Sequence, residues 1–119
     1  MVNLDTHILV FALAGEVTDR ERRVLASNTW SVSAIVLWEL AKLAQLGRID
    51  IDLDDAELTR TLCSIQVWPI DLAVSIQSTR LDFKSDPADE LIAATSIVHQ
   101  IPLLTRDRRI RGSRLVKFA

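Results

Sequence analysis

Short apolar runs alternate along the chain with longer segments in which apolar and polar residues are mixed. The short runs predict strands and the longer segments predict helices. The predicted strands are VNLD, NTWSVS, QVWPI and IPLLT, with RLVKF as a fifth strand at the edge. The predicted helices are THILVFALAG, DRERRVLAS, AIVLWELAKLAQLG, DDAELTRTLCSI, DLAVSIQSTRL and ADELIAATSIVHQ. This alternation predicts a parallel sheet built from right-handed crossovers, with helices on both faces.

Residues at the boundaries of these segments agree with the assignment. Gly15 and Gly47 stand where two helices are expected to end. Ser33 and Asp71 are suited to N-cap positions, and Pro87 is favoured in a first helical turn. No repeat, low-complexity tract or linker interrupts the chain. The sequence therefore predicts one domain over residues 1–119, a three-layer α/β/α sandwich with a short parallel sheet.

The composition is that of an ordinary globular domain, with 49% hydrophobic and 25% charged residues. Cys63 is the single cysteine, so no intramolecular disulfide can form, and its apolar helical surroundings predict a buried thiol. No apolar run approaches the ~20 residues of a transmembrane helix. The N-terminus lacks the basic and apolar regions of a secretion signal. These features predict a cytoplasmic protein.

The net charge of −2 does not indicate a polyanionic partner, but arginines are concentrated near the end of the chain. The stretch TRDRRIRGSR contains Arg106, Arg108, Arg109, Arg111 and Arg114. Such a run is usually a solvated surface. Contacts to phosphate groups are the alternative.

Two aspartates lie where predicted strands end. Asp5 terminates the first strand and Asp107 closely follows the fourth. In parallel α/β sheets the ligand site lies beyond the carboxyl ends of the strands, so both side chains are expected in that crevice. Each also suits a helix N-cap, and that structural role alone would explain it.

Glu39 is the only charged residue between Trp30 and Ala41. A surface pair with Lys42, three positions further along the helix, would be a structural explanation. However, the helical neighbours of Glu39 include apolar residues, and an isolated buried carboxylate is costly unless it is paired or bound to a metal. We therefore expect Glu39 to be functional.

The segment SDPADELIAATS supplies further acids at the start of one helix. Asp86 precedes Pro87 and is placed to cap this helix. Asp89 precedes the small, apolar face expected to pack on the sheet, so it can project toward the crevice. Glu90 lies one position round the helix and is expected in solvent.

Four acids from separate segments are thus expected at one site: Asp5, Glu39, Asp89 and Asp107. Unit charges ~5 Å apart repel by about 3 kcal/mol at an effective dielectric of 20, so convergence would require cations. Oxygen ligands select Mg²⁺ or Mn²⁺ over zinc. His7 and His99 have no cysteine partners at zinc-ligand spacing, and His99 is expected to be a surface or capping group.

Three stretches of the chain resemble the PIN-domain ribonucleases, and within them the VapC toxins of bacterial and archaeal toxin–antitoxin pairs. These stretches are LDTHILV, SAIVLWELAKLAQLGRI and DPADELIAATSIVHQIPLLTRDRRI, which together cover nearly the whole chain in order and spacing. By position, the resemblance implies that the family's four acids correspond to Asp5, Glu39, Asp89 and Asp107.

The family's common D-P-F-D-R motif appears here as DPADE, so Ala88 replaces the aromatic residue and Glu90 the arginine. This departure leaves both Asp86 and Asp89 as candidates for the third ligand. Asp89 is preferred because Asp86 is placed to cap the helix.

The resemblance implies Mg²⁺- or Mn²⁺-dependent hydrolysis of an RNA phosphodiester. Asp5, Asp89 and Glu39 would bind the first ion, while Asp107 would hold a second ion or orient water. Arg106, Arg108 and Arg109 would then contact RNA phosphates. The family also implies a homodimer and a cognate VapB-like antitoxin.

Two alternatives remain at this level. A phosphohydrolase of the haloacid-dehalogenase type also begins with a strand-end aspartate, but it needs a second aspartate where this chain has His7. A catalytically inactive PIN-like domain that only binds RNA or protein is the non-enzymatic alternative. The four acids argue against it, whereas the altered DPADE motif keeps it open.

Overall fold

The structure, a computed structural model that describes residues 1–119, contains four strands and seven helices. The strands are β1 (Val2–Leu4), β2 (Trp30–Ser33), β3 (Gln66–Trp68) and β4 (Leu103–Leu104). The helices are α1 (Thr6–Ala14), α2 (Asp19–Ala26), α3 (Ala34–Gln45), α4 (Ala56–Cys63), α5 (Leu72–Ser78), α6 (Pro87–His99) and α7 (Arg108–Arg111).

All strands of the sheet are parallel, in the order β3-β2-β1-β4. The chain moves outward from β1 to β3, and then crosses back to place β4 on the other side of β1. The order of strands therefore reverses between β1 and β4, and the crevice at such a switch point is the usual ligand site of an open parallel sheet. This topology confirms the predicted α/β sandwich.

The centre of the sheet, formed by β1, β2 and β4, is buried, whereas the edge strand β3 is not. Val2, Leu4, Val32, Leu103 and Leu104 are each at most 1% exposed. Helices α3 and α6 complete the core, in which Val36, Leu40, Ile92 and Ala93 are similarly buried. Burying each large aliphatic side chain contributes about 1.5–3 kcal/mol, so these contacts carry most of the stability of the domain.

Local signals determine where the helices begin and end. The side chains of Ser33 and Asp71 accept hydrogen bonds from backbone N–H groups in the first turns of α3 and α5, as predicted. Gly15 ends α1 in the left-handed conformation that glycine adopts without strain. Asp86 occupies the N-cap position of α6, but its side chain makes no capping hydrogen bond. The predicted capping contact of Asp86 is therefore wrong.

Two further predictions are wrong. The segment RLVKF is not a fifth strand, since it forms only an isolated parallel bridge between Phe118 and Leu103. A strand of two residues, β4, offers too short an edge for longer pairing. Cys63 is exposed rather than buried, because it lies at the end of the surface helix α4, which has no buried residue. No helix has both the length and the apolar character needed to cross a membrane.

Candidate functional site

Asp5 lies at the carboxyl end of β1 and is only 4% exposed. Its carboxylate accepts a hydrogen bond of 2.8 Å from the backbone N–H of Thr6 and one of 2.6 Å from the hydroxyl of Thr105. Burial raises the pKa of Asp5 above its ordinary value, and the charge of Asp107 adds to this, while the two hydrogen bonds oppose it. Asp5 is thus both the N-cap of α1 and a desolvated carboxylate at the switch point.

Asp107 lies on the other side of the switch point, just after β4. Its carboxylate caps α7 by accepting hydrogen bonds from the N–H groups of Arg109 and Ile110, at 2.8 and 3.2 Å. Its own N–H donates to the Thr105 hydroxyl oxygen over 3.0 Å. Because that hydroxyl also donates to Asp5, Thr105 links the two predicted acids.

Glu39 projects from α3 toward the start of α1. Its carboxylate accepts a hydrogen bond from the hydroxyl of Thr6, the residue whose N–H binds Asp5. Lys42 does not pair with Glu39, because its ammonium group donates to Gln45 over 3.0 Å and lies over the Trp38 ring. The alternative of a simple surface ion pair for Glu39 is therefore not realised.

Asp89 is half-buried in the first turn of α6, and Ser85 donates a 2.8 Å hydrogen bond to its carboxylate. Burial raises the pKa of Asp89, and the negative charges of Asp5, Asp107 and Glu39 raise it further. Three other acids are therefore close enough to act on Asp89 electrostatically.

The four predicted acids thus lie at one edge of the sheet, where the charges of Asp5, Asp107 and Glu39 act on Asp89. Asp86 is exposed, and its side chain makes no capping hydrogen bond to α6. No three acidic or histidine side chains stand close enough, in the recorded conformation, to hold one metal ion. Like charges repel one another without a cation, and each carboxylate here is instead directed by a hydroxyl or backbone donor. The donor set itself, carboxylate oxygens only, fits a hard divalent cation.

The three arginines proposed as RNA contacts differ in their surroundings. Arg106 is bound within the molecule, since its guanidinium pairs with Glu21. Arg108 and Arg109 are exposed on α7, and their side chains make no hydrogen bond or ion pair. Only these two are free to contact a phosphate in this conformation.

Neither histidine suggests a zinc site. His7 is exposed two positions beyond Asp5, and its charge lowers the pKa of that carboxyl. His99 is neither a surface nor a capping group, because its ring stacks on Trp68 at 4.0 Å between centroids. The Nε2 atom of His99 and the Nε1 atom of Trp68 are buried without partners.

The largest cleft, of about 700 Å³, lies away from these acids. It is lined by Met1, Thr29, Trp30, Thr61, Cys63, Ser64, Ile65 and Gln66. It contains no carboxylate, so it lacks the chemistry of a hard-cation site. The acidic edge of the sheet is the stronger candidate.

Sequence reasoning missed the three hydroxyl residues that direct the acids: Thr6, Ser85 and Thr105. A signal was present for two of them, because Thr6 follows Asp5 directly and Thr105 stands two positions before Asp107. The pairing of Thr6 with Glu39 spans 33 positions, so spacing alone could not reveal it.

A small parallel α/β domain with acidic side chains at its switch point is a class of protein suited to binding a hard cation beside its substrate. Comparison with known families identifies the family to which the chain belongs. The chain belongs to the PIN domain family, which matches residues 2–113. The resemblance noted in the sequence is thereby confirmed, and the dehalogenase-type alternative loses its support.

The chain is similar to Ribonuclease VapC22 of Mycobacterium tuberculosis, with 36% identity over 88 residues. The matched region makes up 71% of this chain and 67% of that protein, which places the chain among VapC-like PIN domains.

Solved structures share the fold. A toxin–antitoxin complex from Klebsiella pneumoniae matches with a TM-score of 0.76 and 20% identity, over 98% of this chain and 95% of that one. VapBC2 from Rickettsia felis, bound to a DNA fragment from its promoter, matches with a TM-score of 0.73 and 19% identity, over 100% and 98%. At such identities these structures show only that the fold is shared.

Proposed function

We propose that this protein is a VapC-like endoribonuclease toxin that depends on a divalent metal ion and is held inactive by a cognate antitoxin. The observation that carries this proposal is the hydrogen-bonded group of acids at the switch point, in which Thr105 joins Asp5 to Asp107 and Thr6 joins Asp5 to Glu39. The raised pKa of Asp89, to which the charges of these acids contribute, agrees with it. Membership of the PIN domain family and the similarity to a protein named as a ribonuclease support it.

The four acids would hold Mg²⁺ or Mn²⁺. A bound divalent cation supplies a more acidic water molecule and offsets the negative charge that develops on the scissile phosphate. Asp5, Asp89 and Glu39 are the proposed ligands of one ion, and Asp107 would hold a second ion or orient water. Asp86 is the weaker candidate, since it is exposed, whereas Asp89 is half-buried and accepts a hydrogen bond from Ser85.

The protein's own hydrogen bonds prepare the carboxylates for this task. Thr105 and the N–H of Thr6 bind different oxygens of Asp5, so that side chain is fixed in one orientation. Such directed carboxylates reduce the reorganisation needed when a cation and a phosphate arrive. Arg108 and Arg109, exposed on α7, would contact the RNA backbone as bidentate donors to phosphate.

The proposed partners follow from the relatives. Structures with the same fold are described as toxin–antitoxin and VapBC complexes, and a VapB-like antitoxin is the corresponding partner here. A homodimer and a cytoplasmic location belong to the same proposal.

The direct test is cleavage of a mixed RNA pool by the purified protein with Mg²⁺ or Mn²⁺, with EDTA, and with the variant Asp5→Asn. We expect cleavage that requires the metal and is absent in the variant. RNA binding without cleavage under any metal condition would instead support the inactive binding module. Cleavage that persists in EDTA would show that the carboxylates do not act through a metal.

A further inference from the structure

Arg106 is held by three segments that precede it by at least 85 positions. Its Nε and Nη2 atoms donate to the two carboxylate oxygens of Glu21, at 2.8 and 2.6 Å. Its guanidinium lies 4.2 Å from the ring centroid of Phe11 and within 3.4 Å of the backbone carbonyl oxygen of Glu16. A two-point pair with a carboxylate, stacked on an aromatic ring, fixes a guanidinium in both position and orientation.

Glu21 is equally constrained. It is 6% exposed, and the same carboxylate accepts the N–H of Thr18 in the capping box that starts α2. The hydrogen bond from Arg106 is the main reason that the pKa of Glu21 falls to about 2. Both members of the pair are therefore charged over the whole physiological pH range. Because Glu21 lies in α2, this helix fixes the position of the pair.

The neighbours of Arg106 in the chain are the two residues that connect the acidic site. Thr105 donates to Asp5 and accepts the N–H of Asp107, whose carboxylate caps α7. Since β4 is only two residues long, the strand itself gives little support to the segment that follows it. The pair with Glu21 is the ion pair that anchors this segment to α2.

We infer that Glu21 and Arg106 form a positioning pair, which holds Thr105 and Asp107 in register with Asp5 and so sets the affinity of the acidic site for its metal ion. This inference rests on the proposed function. In this inference Arg106 supports the acidic site and does not contact RNA phosphates. The contacts to phosphate are left to Arg108 and Arg109.

The test measures metal binding and catalysis separately, in Arg106→Met, Arg106→Lys and Glu21→Gln. Mn²⁺ binding is followed by electron paramagnetic resonance on protein without RNA, and kcat and KM are then measured on a defined RNA. Loss of a residue that orients metal ligands typically weakens metal binding about 10- to 100-fold. We expect Arg106→Met and Glu21→Gln to weaken Mn²⁺ binding by at least about tenfold and to leave KM for RNA almost unchanged.

Arg106→Lys keeps the charge but cannot form the two parallel hydrogen bonds, so an intermediate affinity is expected. The matched control is Arg22→Met, which removes an exposed ion pair with Asp19 on the same helix α2. It should bind Mn²⁺ as the wild type does. Glu21→Gln keeps a side-chain oxygen that can accept the N–H of Thr18. This variant therefore provides the test if Arg106→Met does not fold.

Each outcome is informative. Unchanged Mn²⁺ binding with a raised KM would show that Arg106 contacts RNA, and the inference would be overturned. Reduced thermal stability with wild-type Mn²⁺ affinity would leave the pair a purely structural contact, which also overturns it. A wild type that neither binds Mn²⁺ nor cleaves RNA would remove the proposed function itself, and the inference with it.

Discussion

At the scale of single residues, hydroxyl groups decide how the carboxylates of the site are presented. Thr6 donates its backbone N–H to Asp5 and its hydroxyl to Glu39, and the Thr105 hydroxyl donates to Asp5 and accepts the N–H of Asp107. Two threonines thus connect three acids that come from distant parts of the chain. A threonine hydroxyl can donate and accept at once, which suits it to this bridging position.

The first prediction separates catalysis from capping at Asp5 and Asp89. Asn keeps the size and most hydrogen bonds of Asp but removes the charge that a hard cation needs, so Asp5→Asn and Asp89→Asn should each lose cleavage by orders of magnitude. Their stability without metal should hold or rise, because each removes a carboxylate whose ionisation is opposed by burial. Activity assays and urea unfolding in EDTA check both parts.

The control for these variants is Asp54→Asn, in the exposed loop before α4. It should retain activity and stability. If Asp5→Asn protein were as active as the wild type, the metal-dependent nuclease mechanism would have to be abandoned.

The second prediction concerns pH and Asp89. The folded-state pKa of Asp89 is raised above the ordinary value of 3.8. The stability that this shift contributes is therefore fully present below pH 3.8, and it is lost as the pH rises through the raised pKa. Without metal, Asp89→Asn should therefore be more stable than the wild type at pH 7, and this advantage should vanish near pH 3.5. Comparing the two proteins at each pH cancels the titration of groups remote from Asp89, including Glu21, whose pKa shifts the opposite way.

At the scale of helices and strands, the sequence predicted what depends on neighbouring residues. The helix starts at Ser33, Asp71 and Pro87 were predictable because capping and first-turn preferences are local. The fifth strand was not, because a strand needs a partner with a free edge, and only the fold reveals that β4 is two residues long.

In the site too, features that depend on neighbouring residues could be predicted, and features that depend on the fold could not. Asp5 and Asp107 could be placed because each follows a strand, and Glu39 because it is a lone charge in an apolar segment. The contact between Arg106 and Glu21 could not be predicted, since the two residues are 85 positions apart and each looks like an ordinary surface charge.

The third prediction addresses how α6, which carries Asp89, is attached to the sheet. Asn3 in β1 is fully buried, and its amide donates to the Ser96 hydroxyl over 2.9 Å while its carbonyl oxygen accepts from Ser31. Asn3→Ala leaves both serines without these partners, and should cost about 2 kcal/mol of unfolding free energy. Urea unfolding measures this cost.

A matched variant is Asn28→Ala, which removes a hydrogen bond to the carbonyl of Val24 near the surface, where water can replace it. Its cost should stay below about 1 kcal/mol. If both variants lost the same unfolding free energy, the buried hydrogen bonds of Asn3 would contribute no more to holding α6 than a hydrogen bond near the surface does.

At the scale of the whole molecule, the domain folds with mutually repelling charges at one edge of its sheet. A cation that binds only the folded state should therefore stabilise the protein. At a hundredfold excess over its Kd, Mg²⁺ or Mn²⁺ should add about 2.7 kcal/mol, or roughly 10 °C in Tm for a domain of this size. Differential scanning fluorimetry with and without EDTA checks this, and Asp89→Asn should show a much smaller shift.

The last prediction concerns assembly. Several large apolar side chains remain exposed on the single chain, among them Trp38 at 57% and Leu72 at 75%. We expect a two-fold dimer, the commonest closed symmetry for a soluble oligomer. Light scattering at micromolar concentration should give about twice the 13.3 kDa of the chain, and a mass of one chain would contradict the prediction.

The placement of β4 beside β1 also has a consequence for how the protein is made. Asp5 is synthesised 100 positions before Thr105, the residue that orients it. Domains generally fold as units, and β1 cannot pair with β4 until residues 103–104 have been made. Until then the growing chain has neither Thr105 nor Asp107 beside Asp5. A protein that cuts RNA would acquire that ability only after the ribosome has read the part of the message that encodes these two residues.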